Sequence, residues 1–150
     1  MRITQGTFSF LPDLSDDQIR AQVQYCLDQG WAINVEYSDD PHPRNTYWEM
    51  WNIPMFDVRD AAPIMREIKA CREQYPRHYI KVNAYNFNRG RETVALSFLV
   101  NRPAEEPGFG LTRQEVQGRT INYVVRSYAT DKPEGMRYDG GMPNGSGNGR

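Results

Sequence analysis

Residues of the kind that perform chemistry are scarce in this chain. Only two of its 150 residues are histidine and two are cysteine. His42 stands between Pro41 and Pro43, and His78 just precedes a strand-forming run. Neither has a Cys or second His at metal-ligand spacing, so both read as exposed or structural histidines. Cys26 and Cys71 fall on the apolar stripes of predicted helices, where a free thiol acts as a small buried hydrophobe. Unpaired cysteines also fit a reducing compartment. Asp13, Asp16 and Asp17 are better explained by helix capping than by acid–base work, and Asp39-Asp40 before Pro41 by a turn. Ser9, Ser38, Ser97 and Ser127 lack a nucleophile-elbow context. There is no Gly-x-Gly-x-x-Gly or Walker-type loop, and Gly108-Phe109-Gly110 reads as linker. The expectation is a chain with no catalytic, cofactor-binding or metal-binding residues, unless distant residues converge.

Charge points the same way. Eighteen Lys and Arg stand against nineteen Asp and Glu, for a formal net charge of −1. That balance gives no drive toward nucleic acid or anionic lipid. No run of about 18 apolar residues is present, so no membrane span is expected. No apolar segment follows Met1-Arg2-Ile3-Thr4, so no secretory signal is expected.

The elements follow from caps and periodicity. Residues 1–14 look extended. Ser15-Asp16-Asp17-Gln18 fits a capping box, with acids at the positive end of the helix dipole. Ile19, Val23, Cys26 and Leu27 then recur on one helical face, and Gly30 ends the helix. A strand follows at 31–37, with Ile33, Val35 and Tyr37 alternating against Ala32, Asn34 and Glu36. A second strand is expected at 46–53. There Trp48 and Met50 point one way, into the core by preference, and Tyr47, Glu49 and Trp51 point outward. Pro54 ends it. A second helix runs over 60–75, capped by Asp60, with Ala61, Ile64, Met65, Ile68, Cys71 and Tyr75 as its stripe. Strands at 79–87 and 93–100 flank a turn at 88–91.

This order predicts an α+β fold: an antiparallel four-stranded sheet covered on one face by two helices. It is complete by about residue 100, giving a core domain over 1–100 that includes an N-terminal arm. Residues 101–139 are expected to hold a linker at 101–110 and a C-terminal β-hairpin extension. That hairpin would pair a strand at 120–128 with a return strand at 136–138. An isolated hairpin is marginally stable in water, so this one is expected to dock on other chains. The glycine-rich tail, 140–150, is expected to be disordered.

The run Thr46-Tyr47-Trp48-Glu49-Met50-Trp51-Asn52-Ile53-Pro54-Met55-Phe56 is far from average composition. It closely resembles the Tyr-Trp-x-Met-Trp-x-x-Pro-Met-Phe signature of small subunits of ribulose-1,5-bisphosphate carboxylase/oxygenase (RuBisCO). Phe10-Leu11-Pro12-Asp13-Leu14-Ser15, Gly30-Trp31, and Tyr75-Pro76 with Ile80-Lys81-Val82 match the same family in order. The resemblance covers about residues 8–100. Two departures are informative. The loop between the first two strands is short, and an extension from about Gly118 to Tyr138 resembles the hairpin of red-type members.

The resemblance implies a non-catalytic small subunit in carbon dioxide fixation by the Calvin cycle. Eight small subunits would cap and stabilise an octamer of large subunits. Those hold Mg²⁺ on a carbamylated lysine and carboxylate, or oxygenate, ribulose bisphosphate; this chain would bind no cofactor. The partners implied are the large subunit and other small subunits through the hairpin. The compartment implied is a bacterial cytoplasm, or else a plastid stroma. Three surfaces are expected at subunit interfaces. The first is the arm, Phe8, Phe10, Leu11, Pro12 and Leu14. The second is Tyr47, Glu49 and Trp51 with Met55 and Phe56. The third is the hairpin, through Ile121, Tyr123, Val125, Arg126, Tyr128 and Tyr138, where Arg and Tyr are common anchors.

Two rival readings compete. A sheet-based RNA-binding module is suggested faintly by Tyr85, Phe87 and Arg89-Gly90, but Arg91-Glu92 departs from its aromatic pattern. A small free-standing enzyme would need a pocket with convergent polar groups.

Overall fold

Ser15 starts the first helix as its sequence requires. Its hydroxyl accepts the Gln18 N–H at 3.3 Å, and the Gln18 side chain accepts the Ser15 N–H at 2.9 Å. The computed structural model describes residues 3–4, 13–40, 45–90, 93–104, 106, 109–134 and 137. Helix α1 is Asp16–Asp28 and buries Ile19, Val23, Cys26 and Leu27. Gly30 turns the chain out of it at φ +75°, a backbone region in which a Cβ is strained. Helix α2, Ala61–Gln74, starts at Asp60, whose carboxylate accepts the Ala62 N–H at 3.3 Å.

Five strands form one sheet in the order β1-β5-β4-β2-β3. They are β1 Ile3–Thr4, β2 Ala32–Ser38, β3 Glu49–Met50, β4 Tyr79–Asn86 and β5 Thr93–Asn101. The β3-β2-β4-β5 pairings are antiparallel, as expected. The addition is β1, which pairs parallel to β5. Ile33, Val35, Ile80, Val82, Ala84, Leu96 and Phe98 form a single buried cluster with Ile19, Val23, Ile64 and Ile68 of the helices. Burial of this continuous apolar layer is the main force holding the domain together.

The opposite face of the sheet is polar at its centre. Asn34, Asn83 and Ser97 stand in register across β2, β4 and β5. All three are buried. Ser97 Oγ donates to Asn83 Oδ1 at 2.8 Å, and Asn83 Nδ2 donates to Asn34 Oδ1 at 3.2 Å. Each buried polar group thereby finds a partner within the ladder.

Two expectations need correction. First, the strand expected at 46–53 shrinks to Glu49–Met50. The chain leaves the sheet at Trp51 and Asn52 and returns at a single bridge between Met55 and Ile33. Across this excursion the Asn52 side chain accepts the Val35 N–H at 2.8 Å, taking the place of a missing backbone carbonyl. Second, Phe109–Val116 is a strand, β6, and not the end of a linker. It pairs antiparallel with β7, Thr120–Ser127, from Phe109↔Ser127 to Val116↔Thr120. The turn between them uses Gly118 and Arg119 at φ +86° and +63°. The partner of the strand at 120–128 is therefore the preceding segment, not 136–138. A 3-10 turn, Tyr128–Asp131, follows β7.

Candidate assembly surfaces

In the second expected surface the alternation holds but the sides are exchanged. Glu49 pairs with Tyr37 and Met50 with Glu36, so Glu49 and Trp51 fall on the helix-covered side. Trp51 is half-buried against the core. Its indole N–H donates to Glu67 of α2 at 2.9 Å, and its ring meets Tyr75 edge-on at 6.2 Å. Trp48 packs on the other face against Tyr79 and Leu99, with the Lys81 ammonium 4.3 Å from its ring centre. Met50, expected inside, is 55% exposed. Met55 is half-buried against the core and exchanges backbone hydrogen bonds with Ile33 at 2.8 and 3.2 Å. Phe56 is 48% exposed and meets Phe87 edge-on at 5.3 Å. Tyr47 is 91% exposed. The exposed apolar side chains along this edge of the sheet are thus Tyr47, Met50, Ile53 and Phe56, with Phe87 set against Phe56. Of these, Met50, Ile53 and Phe87 were missed. For Ile53 the signal lay in the sequence: an apolar residue directly before a strand-ending proline.

The N-terminal surface is only partly in view. Leu14 is half-buried and packs against the domain's own core. Phe8, Phe10, Leu11 and Pro12 lie outside the described residues, as do Tyr138 and His42.

The hairpin has two unlike faces. Its register sets Leu111 opposite Val125, Arg113 opposite Tyr123 and Glu115 opposite Ile121. The other face carries Thr112 opposite Val124, Gln114 opposite Asn122 and Val116 opposite Thr120. Leu111, Tyr123 and Ile121 are exposed, with nothing of the described chain laid over them. Arg126 and Tyr128, also expected at an interface, stand on the more polar face. Arg126 pairs with Asp131, and the Tyr128 ring lies directly over Gly110, where an added Cβ would come within 2.9 Å of its hydroxyl. Leu111, the most exposed apolar residue of the ribbon, was also missed.

Polar groups gather at one end of the sheet. A cavity of about 220 Å³ is lined by Tyr37, Ser38, Asp39, Glu49, Tyr75, His78 and Glu134. Tyr37 and Tyr75 stack at 4.1 Å. Burial, and then the hydroxyl of Tyr75, push the Tyr37 phenol up. Burial pushes His78 below its ordinary value, opposed in part by the charges of Asp39 and Glu49. Its Nδ1 is buried without a hydrogen-bond partner. The two cysteines are buried, and desolvation pushes each thiol up to about 12. Such thiols are poor nucleophiles at neutral pH. Among the described residues no group of three or more His, Cys, Asp or Glu could hold a metal ion, and no helix is long and apolar enough to cross a membrane.

A small α+β domain that carries its exposed apolar side chains on a projecting ribbon and a sheet edge is built as a subunit of something larger. Comparison with known proteins says of what. The family model "Ribulose bisphosphate carboxylase, small chain" matches residues 5–103, and the chain belongs to that family. A RuBisCO small subunit of Cyanidioschyzon merolae is 63% identical over 138 residues, covering 92% of this chain and all of the relative. One from Cupriavidus necator is 63% identical over 139 residues, with the same coverage. The solved structure of RuBisCO from Galdieria partita matches at a TM-score of 0.79 and 54% identity, over 92% of this chain and all of that one. The family is the non-catalytic partner of the large subunit in carbon fixation.

Proposed function

We propose that this chain is a red-type small subunit of a hexadecamer, in which eight small subunits cap and stabilise eight large ones. The observation that carries this reading is the hairpin. Leu111 is 70% and Tyr123 62% exposed on one face of a ribbon that meets no other sheet. Two strands alone gain too little to persist in water, so that face is completed by neighbouring chains. Similarity to proteins of Cyanidioschyzon, Galdieria and Cupriavidus over 92% of this chain, hairpin included, supports the red-type assignment.

In this reading residues 1–100 form the core domain with its arm, 101–139 the linker and assembly hairpin, and 140–150 a glycine-rich tail. The arm (Phe8, Phe10, Leu11, Pro12) and the exposed edge of the sheet (Tyr47, Glu49, Met50, Ile53, Phe56) meet large subunits, while Leu14, Trp51 and Met55 support these surfaces from the domain's own core. The hairpin meets large subunits and other small subunits around the central channel through its apolar face, Leu111, Ile121, Tyr123 and Val125, while Arg126 and Tyr128 brace it from the opposite face. Catalysis belongs to the large subunit, which holds Mg²⁺ on a carbamylated lysine and adds CO₂, or O₂ in the monooxygenase side reaction, to ribulose bisphosphate. The compartment is a bacterial cytoplasm or a plastid stroma.

Co-expression with a red-type large subunit tests this. The full chain is expected to give a particle with the mass of eight large plus eight small subunits. A chain lacking 109–127 is expected to give far less of it. A full yield from the shortened chain would refute the assembly role. The purified small chain alone is expected to fix no radiolabelled bicarbonate onto ribulose bisphosphate.

A further inference from the structure

Beyond the hairpin the chain returns to the sheet it left. Arg137 stands 98 residues from Asp39 in sequence. Its guanidinium nevertheless donates to Asp39 at 3.0 Å and lies 3.8 Å from Asp40. The Arg137 and Asp39 side chains keep only 13% and 4% of their exposure. The hairpin's own ion pairs are different. Arg113–Glu115 and Arg126–Asp131 are more than half exposed on both partners, and exposed pairs contribute little. An ion pair held this far from water is screened much less than an exposed one. A second observation agrees on the path. Glu134, just before Arg137, lines the same cavity as Tyr75 and His78.

The hairpin is thus tied to one end of the sheet on both sides. Before the ribbon, β5 ends at Asn101, whose side-chain amide donates to the carbonyls of His78 at 2.8 Å and Pro76 at 3.2 Å. After it, Arg137 reaches Asp39, the residue following β2. Asn101 pairs with Ile80, and Ser38 with Tyr79. The two ties therefore share one end of the sheet with β4 between them, roughly 10 Å apart at the usual strand spacing. A ribbon tied on one side swings about its linker; tied on both, it is aimed.

We propose that Arg137, clasped by Asp39 and Asp40, is a positioning residue that fixes the direction in which the β6–β7 ribbon leaves the domain, so that it meets its neighbours already ordered. This rests on the reading of the hairpin as an assembly element. Pre-ordering strengthens association by removing an ordering cost that binding would otherwise carry.

The test uses the complex with the large subunit and four small chains. These are the wild type, Arg137→Gln, a chain with 109–127 replaced by a short Gly-Ser linker, and that shortened chain carrying Arg137→Gln. Small subunit retained per large subunit is followed through dilution, and protease nicking in 102–108 is followed on the purified particles. Arg137→Gln is expected to weaken retention about tenfold in the full chain, to speed nicking, and to add nothing to the shortened chain. Asp39→Asn should reproduce it, the double variant should be no worse than either, and Arg137→Lys should fall between. Equal weakening in both backgrounds means that Arg137 merely props the domain, and overturns the proposal. Unchanged nicking in Arg137→Gln overturns it as well. A shortened chain that assembles normally, beside faster nicking in Arg137→Gln, refutes the assembly reading while keeping the clasp. Should Arg137→Gln yield no folded chain, Asp40→Asn, which removes only the longer contact, is expected to give a smaller loss of retention; no loss counts against the clasp.

Discussion

At His78, burial and charge pull in opposite directions, and burial prevails. The ring lies beside the stacked Tyr37–Tyr75 pair, edge-on to both at 5.9 and 5.1 Å. A neutral imidazole is therefore what the fold tolerates, even with Asp39 and Glu49 nearby. The sign of the pH effect follows. Below the ordinary histidine value of about 6.5, the unfolded chain takes up a proton that the folded chain resists, so stability falls with pH there. Above that value both states are neutral and the contribution is flat. Urea unfolding of wild type and His78→Gln between pH about 7.5 and 5.5 should show a shallower decline in the variant. Equal slopes would place the pH dependence on other groups. Nothing in the spacing around His78 foretold this. Its neighbours come from β2, β3 and α2, and only the folded topology assembles them.

At the scale of elements, the Asn34–Asn83–Ser97 ladder makes the sheet's polar face specific. Removing the middle member by Asn83→Ala leaves the Asn34 carbonyl and the Ser97 hydroxyl buried without partners. An unpaired buried group costs about 1–3 kcal/mol, so a loss of about 2–3 kcal/mol is expected in the denaturant midpoint. A change under about half a kcal/mol would mean that water takes over these bonds. Both helices and the central strands were legible because caps and periodicity agreed. Ser15 with Gln18 and Asp60 mark helix starts in sequence and in structure, and Ile80, Val82 and Ala84 alternate where one face is buried. The misreadings have physical causes. Phe109–Val116 contains Gly110, Arg113, Gln114 and Glu115, and a ribbon exposed on both sides imposes no period-two apolar pattern on its first strand. Only Gly118, a turn residue just after Val116, hinted that the segment before it pairs with the segment after. The aromatic strand was read in the right phase on the wrong side. Bulk suggested that Trp48 and Met50 belong inside, whereas pairing with β2 delivers Trp51 to the helices.

At the scale of the whole molecule, the proposed assembly role rests on apolar side chains that the described chain leaves uncovered. The two faces of the hairpin predict an asymmetry. Tyr123→Ser, on the apolar face, should lower the small subunit recovered per large subunit in the purified particle several-fold, as loss of a central aromatic anchor does. Asn122→Ser, on the opposite face, should leave it unchanged. Equal effects would contradict a one-sided docking face. A formal net charge of −1 gives the chain no electrostatic drive toward nucleic acid or anionic lipid. Which neighbours cover the ribbon was legible only through resemblance, since a chain read alone carries no imprint of the surfaces that bury it. The interrupted β3 edge bears on the interval before those surfaces are met. Beyond Glu49–Met50 the chain turns away and Asn52 occupies the open hydrogen-bonding position of β2. A stray strand arriving there finds only two residues to grip, and long unpaired edges are what seed aggregation. That edge of the domain therefore offers little purchase for templating a second chain, and the burden of staying unpaired falls on the ribbon.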